Sequence, residues 1–315
     1  MYNEEIKERF LREYCVNKNK DAYHTHHGLF KVTEDGEIAV GKDVANMTVS
    51  EAMVAIDSMD ILSLGIVYNL RVIIKAYIEW CKTEGICETN DGFLQVCNPD
   101  LDISPSISRV LFRDENDLVY SMRKVCAFNE GYPQPVIMAF AWLGLQQKEI
   151  LALRDRQVNL KTKQVFDSDG RVSIDGFSDQ IAMILQEFEE TYMGKRENHT
   201  TVYDVVKDRS TDAYLKRFLP KSSKKFGGEY TTSQIYSALN RYNLKYREQG
   251  FPSRLTFSNV WKSGRYHALW EWEQTSGLDA FKSENQGKVL EIFRNSANYA
   301  SIIWFYKAYK RAFNL

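Results

Sequence analysis

Apolar residues fall three or four apart through most of this 315-residue chain, and that period points to a mainly helical protein. The clearest case is residues 62–84, where Ile66, Leu70, Ile73, Ile74, Tyr77 and Cys81 share one face and Gly85 supplies a stop. Residues 3–17 repeat the pattern with Ile6, Phe10, Leu11 and Tyr14. Further helices are predicted over 48–58, 114–129, 133–145, 178–193, 211–218, 231–249, 256–275 and 285–312. Two segments break the period. Residues 21–43 contain the alternating phrase FKVTEDGEIAV and predict a hairpin turning at Asp35-Gly36. KTKQVFDSDGRVSI, residues 161–174, predicts a second hairpin turning at Asp169-Gly170. The expected class is therefore mainly α with a small β-hairpin or sheet.

Composition narrows the options. A hydrophobic fraction of 44% can fill a core in a chain of this length, which argues against disorder. The most apolar stretch, residues 61–78, is interrupted by Asn69, Arg71 and Lys75, and no signal-like start is visible, so the expectation is a cytoplasmic protein with no membrane partner. Five cysteines include no CxxC pair, which points to reduced thiols. His24, His26 and His27 form a cluster, but no cysteine lies nearby and the stretch is polar, so a solvated loop is expected, with no metal and no cofactor. Residues 88–105, rich in Thr, Asn and Asp with two prolines, suggest a break between domains. The division drawn is 1–95, a linker at 96–105, and 106–315.

The formal net charge of -1 conceals a segregation. Between Lys195 and Arg265 there are 15 Lys and Arg against 6 Asp and Glu, a local excess of 9 positive charges. A neutral protein can present a basic surface to a polyanion in this way, although a merely solvated lysine-rich face is the plain alternative. Within the segment, KKFGGEYTTSQIYSALNRYNLKYREQG has a basic turn at Lys224 and Lys225 and an N-cap at Thr231 or Thr232. Its helix is expected to expose Gln234, Asn240, Arg241 and Lys245 while Ile235, Leu239 and Leu244 pack inward. Gln and Asn can pair with adenine edges and Arg with guanine, so this helix is a candidate reader of double-stranded DNA. Lys221, Arg247, Arg254, Lys262, Arg265 and His267 are further candidates, as are Asn69, Arg71 and Lys75 on the long N-terminal helix.

Two phrases give a family resemblance. FAWLGLQQKEILALRDRQVNL, residues 140–160, and LTFSNVWKSGRYHALWEWEQTSG, residues 255–277, resemble in order and character the phrases that carry the catalytic residues of tyrosine recombinases, the phage integrase family. The resemblance implies a helical, SAM-like core-binding domain followed by an integrase catalytic-type domain, and a protein that grips a DNA duplex.

It also implies catalytic positions, and these depart from the family pattern. Gln146 stands where the first catalytic Arg follows Gly144-Leu145, and Ser258 and Trp261 stand in the His-x-x-Arg phrase. Arg294-Asn295 replaces the later Gly-His, and the hairpin expected to bear a lysine turns through Asp167-Ser168-Asp169. Tyr306 and Tyr309 are the remaining candidate nucleophiles. The pentacoordinate phosphorus transition state needs fixed cations on its non-bridging oxygens, and losing one such donor costs about 2.7–4 kcal/mol. The expectation is a non-enzymatic, sequence-specific repressor of a temperate phage or prophage, acting on the nucleoid of a bacterial host. The alternative is a divergent recombinase using Tyr306 or Tyr309. An aromatic-rich end (Trp261, Trp270, Trp272, Trp304, Phe305, Tyr306) leaves self-association or a protein antirepressor as further partners.

Overall fold

A computed structural model describes residues 1–18, 20–86, 88–125, 133–198, 201–223, 226–248 and 254–315; within these, the side chains of 20, 125, 196–198, 201, 241–242 and 245–248 are left undescribed. The chain forms two compact units, Met1–Arg109 with Ser296–Leu315, and Val110–Asn295. Both are helical, and the second also carries two small antiparallel sheets. No described helix is long and apolar enough to cross a membrane.

In the first unit α1 (Glu4–Tyr14), α2 (Lys20–Val40), α3 (Val49–Ser58) and α4 (Leu64–Glu84) precede two short helices, α5 (Gly92–Val96) and α6 (Ser104–Val110). Local chemistry sets the ends: Thr48 and Glu51 form a capping box on α3, Ser63 caps α4, and Gly85 closes α4 with φ 61°. The core joins Phe10, Phe30 and Tyr77, whose rings lie 5.2 to 6.0 Å apart across α1, α2 and α4. Beneath it Lys7, with no exposed surface, bonds Glu37 at 2.5 Å.

The hairpin expected over 21–43 is instead the 21-residue helix α2. Its buried residues, Leu29, Phe30, Thr33, Gly36 and Glu37, follow a helical period that was obscured because three of the five are polar or Gly. Gly36 serves helix packing rather than a turn. A Cβ there would lie 2.5 Å from the Ala55 carbonyl oxygen and 2.4 Å from the Met59 methyl, so α3 can approach only a bare backbone.

Residues 96–105, expected to link domains, are packed into the first unit. Phe93 and Cys97 are buried, Ser106 donates to the Met59 carbonyl at 2.7 Å, and a Cβ on Gly92 would meet Met47 O at 2.4 Å. Polar residues there supply caps and turns for two short helices. The last helix, α14 (Tyr299–Phe313), also belongs to this unit and contacts α4; Trp304 donates to the Pro99 carbonyl at 3.0 Å and Arg311 pairs with Asp102 at 3.0 Å. The compact unit therefore departs from a second domain running unbroken over 106–315.

The second unit is built around α8 (Gln134–Trp142), every residue of which is buried. It follows α7 (Glu115–Val125) and leads into α9 (Gln147–Ala152) and a sheet of β1 (Val158–Asn159), β2 (Gln164–Phe166) and β3 (Val172–Asp175). Val165 pairs with both Val158 and Ile174, and Gly170 turns the predicted hairpin with φ 80°. After α10 (Asp179–Glu190) comes a sheet outside the sequence-based expectation: β4 (Met193–Asn198), β5 (Thr201–Lys207) and β6 (Phe218–Pro220), with Met193 opposite Val206 and Lys207 opposite Phe218. The helix expected over 211–218 is a loop that enters β6, because Ala213 bridges to Arg154 and the strand claims Phe218.

The unit continues with α11 (Thr232–Glu248), α12 (Phe257–Ser276) and α13 (Gln286–Ile292). Gly264 lets α12 meet α8, since its Cβ would stand 2.0 Å from the Trp142 carbonyl oxygen. The single helix expected over 285–312 is broken. Arg294 and Asn295 adopt left-handed φ of 52° and 53°, and Asn298 then caps α14 by accepting from Ser301 N at 2.8 Å.

Candidate nucleic-acid interface

The positions singled out as degenerate converge in part. Ser258, Trp261, Lys262 and Arg265 occupy one face of α12 at helical spacing. Gly144, at φ 93°, turns the chain after α8, and its carbonyl accepts from both Trp261 Nε1 and Arg294 Nη1 at 3.1 Å. Gln146 caps α9: its backbone N–H donates to Glu149 Oε2 at 2.6 Å, and the same carboxylate oxygen receives Arg294 at 2.6 Å. Arg265 reaches under this turn to the carbonyls of Trp142 (3.0 Å) and Ile292 (3.4 Å), and a Cβ on Gly144 would lie 2.3 Å from its guanidinium carbon. Burial, then the charge of Arg294, pull the Arg265 pKa down to about 10.

Chemically this arrangement is a clamp on a turn. The guanidinium donors of Arg265 and Arg294 are directed at main-chain carbonyls and one carboxylate, and Gln146 is uncharged. Beside Arg265, the pocket lined by Asp114, Glu115, Asp175 and Glu271 is acidic, and burial together with the Glu271 charge raises the Glu115 pKa. Asn295 N bonds the Leu290 carbonyl at 2.9 Å, closing α13. Tyr306 and Tyr309 belong to the first unit instead and have no exposed surface.

The DNA-facing candidates divide. On α11, Thr231 and Gln234 form a reciprocal cap, with Thr231 N to Gln234 Oε1 at 2.9 Å and Gln234 N to Thr231 Oγ1 at 3.4 Å. Ile235 and Leu239 are buried as expected. Leu244, expected to pack, is exposed, because Asn243 takes the inward position on the helix. The exposed stripe is Ser233, Tyr236, Ser237, Asn240 and Leu244, with Thr232 also exposed at the start. Tyr236 and Asn240 border an open groove with Thr256, Phe257 and Ser258. Lys224 and Lys225 lie outside the described residues, and so do the side chains of Arg241, Lys245 and Arg247.

Two arginines offered as phosphate contacts are internal instead. Arg254 donates to the Leu111 carbonyl, pairs with Asp117 and covers the Phe112 ring at 4.3 Å. Arg71 donates to the carbonyls of Leu94 and Cys97 at 2.5 and 2.7 Å, holding the segment after α4. Lys262 is partly buried, which lowers its pKa, and His267 lies between the rings of Trp142 and Trp270 with Glu271 at 3.4 Å. Asn69, Lys75 and Lys221 are exposed.

Three cations of the basic segment that sequence reasoning did not single out come together. Lys207, Arg209 and Lys216 line a pocket of about 480 Å³ with Asp155, Glu189 and Tyr214. Burial and the charge of Arg209 lower the Lys207 pKa to about 8, and Lys216 bonds Asp155 at 2.7 Å. The available signal was a strand pattern, TVYDVVK, ending in a lysine.

Residues 1–83 match the family described as MrpR, N-terminal core-binding domain. No curated protein matches the chain. Among solved structures, the chain is similar to a XerA recombinase at 11% identity, covering 98% of this chain and 97% of that one, with TM-score 0.40. It is also similar to the Tn1549 transposon integrase, solved in complex with circular intermediate DNA (12% identity, 94% of each chain, TM-score 0.38) and with transposon right end DNA (13% identity, 95% of this chain and 93% of that one, TM-score 0.39). Likenesses this distant say nothing about function.

Proposed function

We propose that this chain is a sequence-specific DNA-binding repressor with an integrase-like architecture and no strand-exchange activity, of the kind that maintains lysogeny in SPβ-type prophages. The observation that carries the reading is the fate of the cations at the would-be catalytic centre. Arg265 and Arg294 bond Trp142 O, Ile292 O, Gly144 O and Glu149, while Gln146 and Trp261 bring no charge. Phosphoryl transfer requires preorganised positive charge at the non-bridging oxygens. Supporting it further, both candidate nucleophiles are buried, and the N-terminal match is to a core-binding domain.

DNA binding would rest on other groups. The exposed Asn240 and Thr232 on α11, Asn69 and Lys75 on α4, and Lys195 and Lys221 of the basic segment supply base-edge donors and phosphate partners. A discrete operator occupied in this way blocks transcription without chemistry at phosphorus.

Two measurements test this. On a nicked suicide substrate carrying the operator, no covalent protein-DNA adduct should form, and Tyr306→Phe and Tyr309→Phe should match the parent; an adduct lost in either variant would establish a recombinase. Mobility shifts against excess random DNA should retain a specific complex that weakens steeply with salt. Complete competition by random DNA would refute the regulator.

A further inference from the structure

We propose a divalent metal site between α1 and α2, formed by Glu4, Glu8 and His27, with Zn²⁺ the ion its ligands suit. The histidine-rich stretch lies on a helix, and carboxylates rather than thiols are opposite it. Glu4 and Glu8 are four residues apart on α1 and so share a face. The ligand atoms of Glu4, Glu8 and His27 all lie within 4.8 Å of one another, and His27 Nε2 stands 3.4 Å from Glu8 Oε1.

Two further features fit metal ligation. Tyr23, one helical turn before His27, donates its hydroxyl to the other oxygen of Glu8. This is the outer-shell contact that typically fixes a ligating carboxylate. The neighbouring histidines turn elsewhere, His24 against the Tyr23 ring and His26 against the Tyr14 ring, so a single imidazole is directed at the carboxylates. One imidazole with two carboxylates is a ligand set that Zn²⁺ accepts with water in the fourth place. Mg²⁺ prefers an all-oxygen shell and is the poorer fit. A metal here ties α1 to α2 and stabilises the first unit by binding the folded state alone.

The test is Zn²⁺ titrated into the metal-free full-length chain, followed by calorimetry and thermal unfolding. The proposal expects a saturable 1:1 isotherm and a Tm rise of roughly 3 °C or more, both lost in His27→Ala and Glu8→Gln and both retained in His24→Ala. Far-UV circular dichroism checks that each variant keeps its helices. Binding of Co²⁺ in place of Zn²⁺, read by its visible absorption bands, reports coordination independently of stability. Absence of 1:1 binding in the parent chain would overturn the site, as would binding that survives in His27→Ala or disappears in His24→Ala.

Discussion

The first unit holds the buried Lys7 in an ion pair, and the second holds Arg265 and Arg294 largely against main-chain carbonyls. Lys7 and Glu37 are both fully buried and 2.5 Å apart; Thr33 and the Val44 N–H add bonds to Glu37, and Asp43 accepts from Asn3 and Tyr77. Every charge has a partner across α1, α2 and α4, so the network fixes how those helices register. In the second unit Arg265 and Arg294 close a turn instead, with Glu149 as the only carboxylate in the set and part of the pair exposed. The contrast shows two uses of charge: one fixes the register of a core, and the other closes a turn against internal acceptors.

Breaking the first network should have the larger effect. Lys7→Met leaves a buried carboxylate unpaired and should cost about 3–5 kcal/mol in denaturant unfolding. The double variant Lys7→Met, Glu37→Leu should recover most of that loss, because well-packed apolar residues can replace a buried pair at little cost. A single variant indistinguishable from the parent would erase the contrast.

Next in size is Gly264→Ala, whose methyl would press on the Trp142 carbonyl oxygen and part α12 from α8. A loss of about 1–3 kcal/mol is expected from overpacking, read as a lower denaturation midpoint.

A smaller effect is a pH dependence confined to the first unit. Burial, opposed by Lys7, raises the Glu37 pKa from 4.5 to about 7. Between those values the folded chain binds more protons than the unfolded chain, so this group's contribution to stability should fall as pH rises from about 4.5 to about 7 and level off above. Comparing urea midpoints across that window should show the slope in the parent and its loss in Glu37→Gln. The smallest effect is expected for Arg294→Ala. Its pair with Glu149 is about one-third exposed, so the loss should stay within roughly 0.2–1 kcal/mol. A loss above about 2 kcal/mol would mean that the turn clamp is as structural as the Lys7 network.

The helices carrying strong apolar stripes were legible in the chain. α4, α8, α10 and α12 lie within a few residues of their expected spans, and the β2 to β3 hairpin turns at its Asp-Gly. The segments that misled share a cause. In 21–43 the inward face includes Gly36 and Glu37, and a buried glutamate or a packing glycine carries no apolar signal. In 285–312 the apolar period runs through Arg294 and Asn295, where only backbone dihedrals mark the break. The candidate site was legible as a set of substitutions, Gln146, Ser258 and Trp261. Its contacts were not, because whether Arg71, Arg254 or Arg265 faces a phosphate or a carbonyl depends on which unsatisfied acceptors the fold brings near.

By itself the sequence determined the helical period, the absence of charge at Gln146 and Trp261, and the concentration of cations between Lys195 and Arg265, since each is a property of residue type and spacing. Only the tertiary structure decided that α14 packs with the first unit, that Tyr306 and Tyr309 are buried, and that His27 meets Glu4 and Glu8. Those outcomes join residues far apart in the chain, and the balance of burial against hydrogen-bond satisfaction that selects them exists only once the helices have packed.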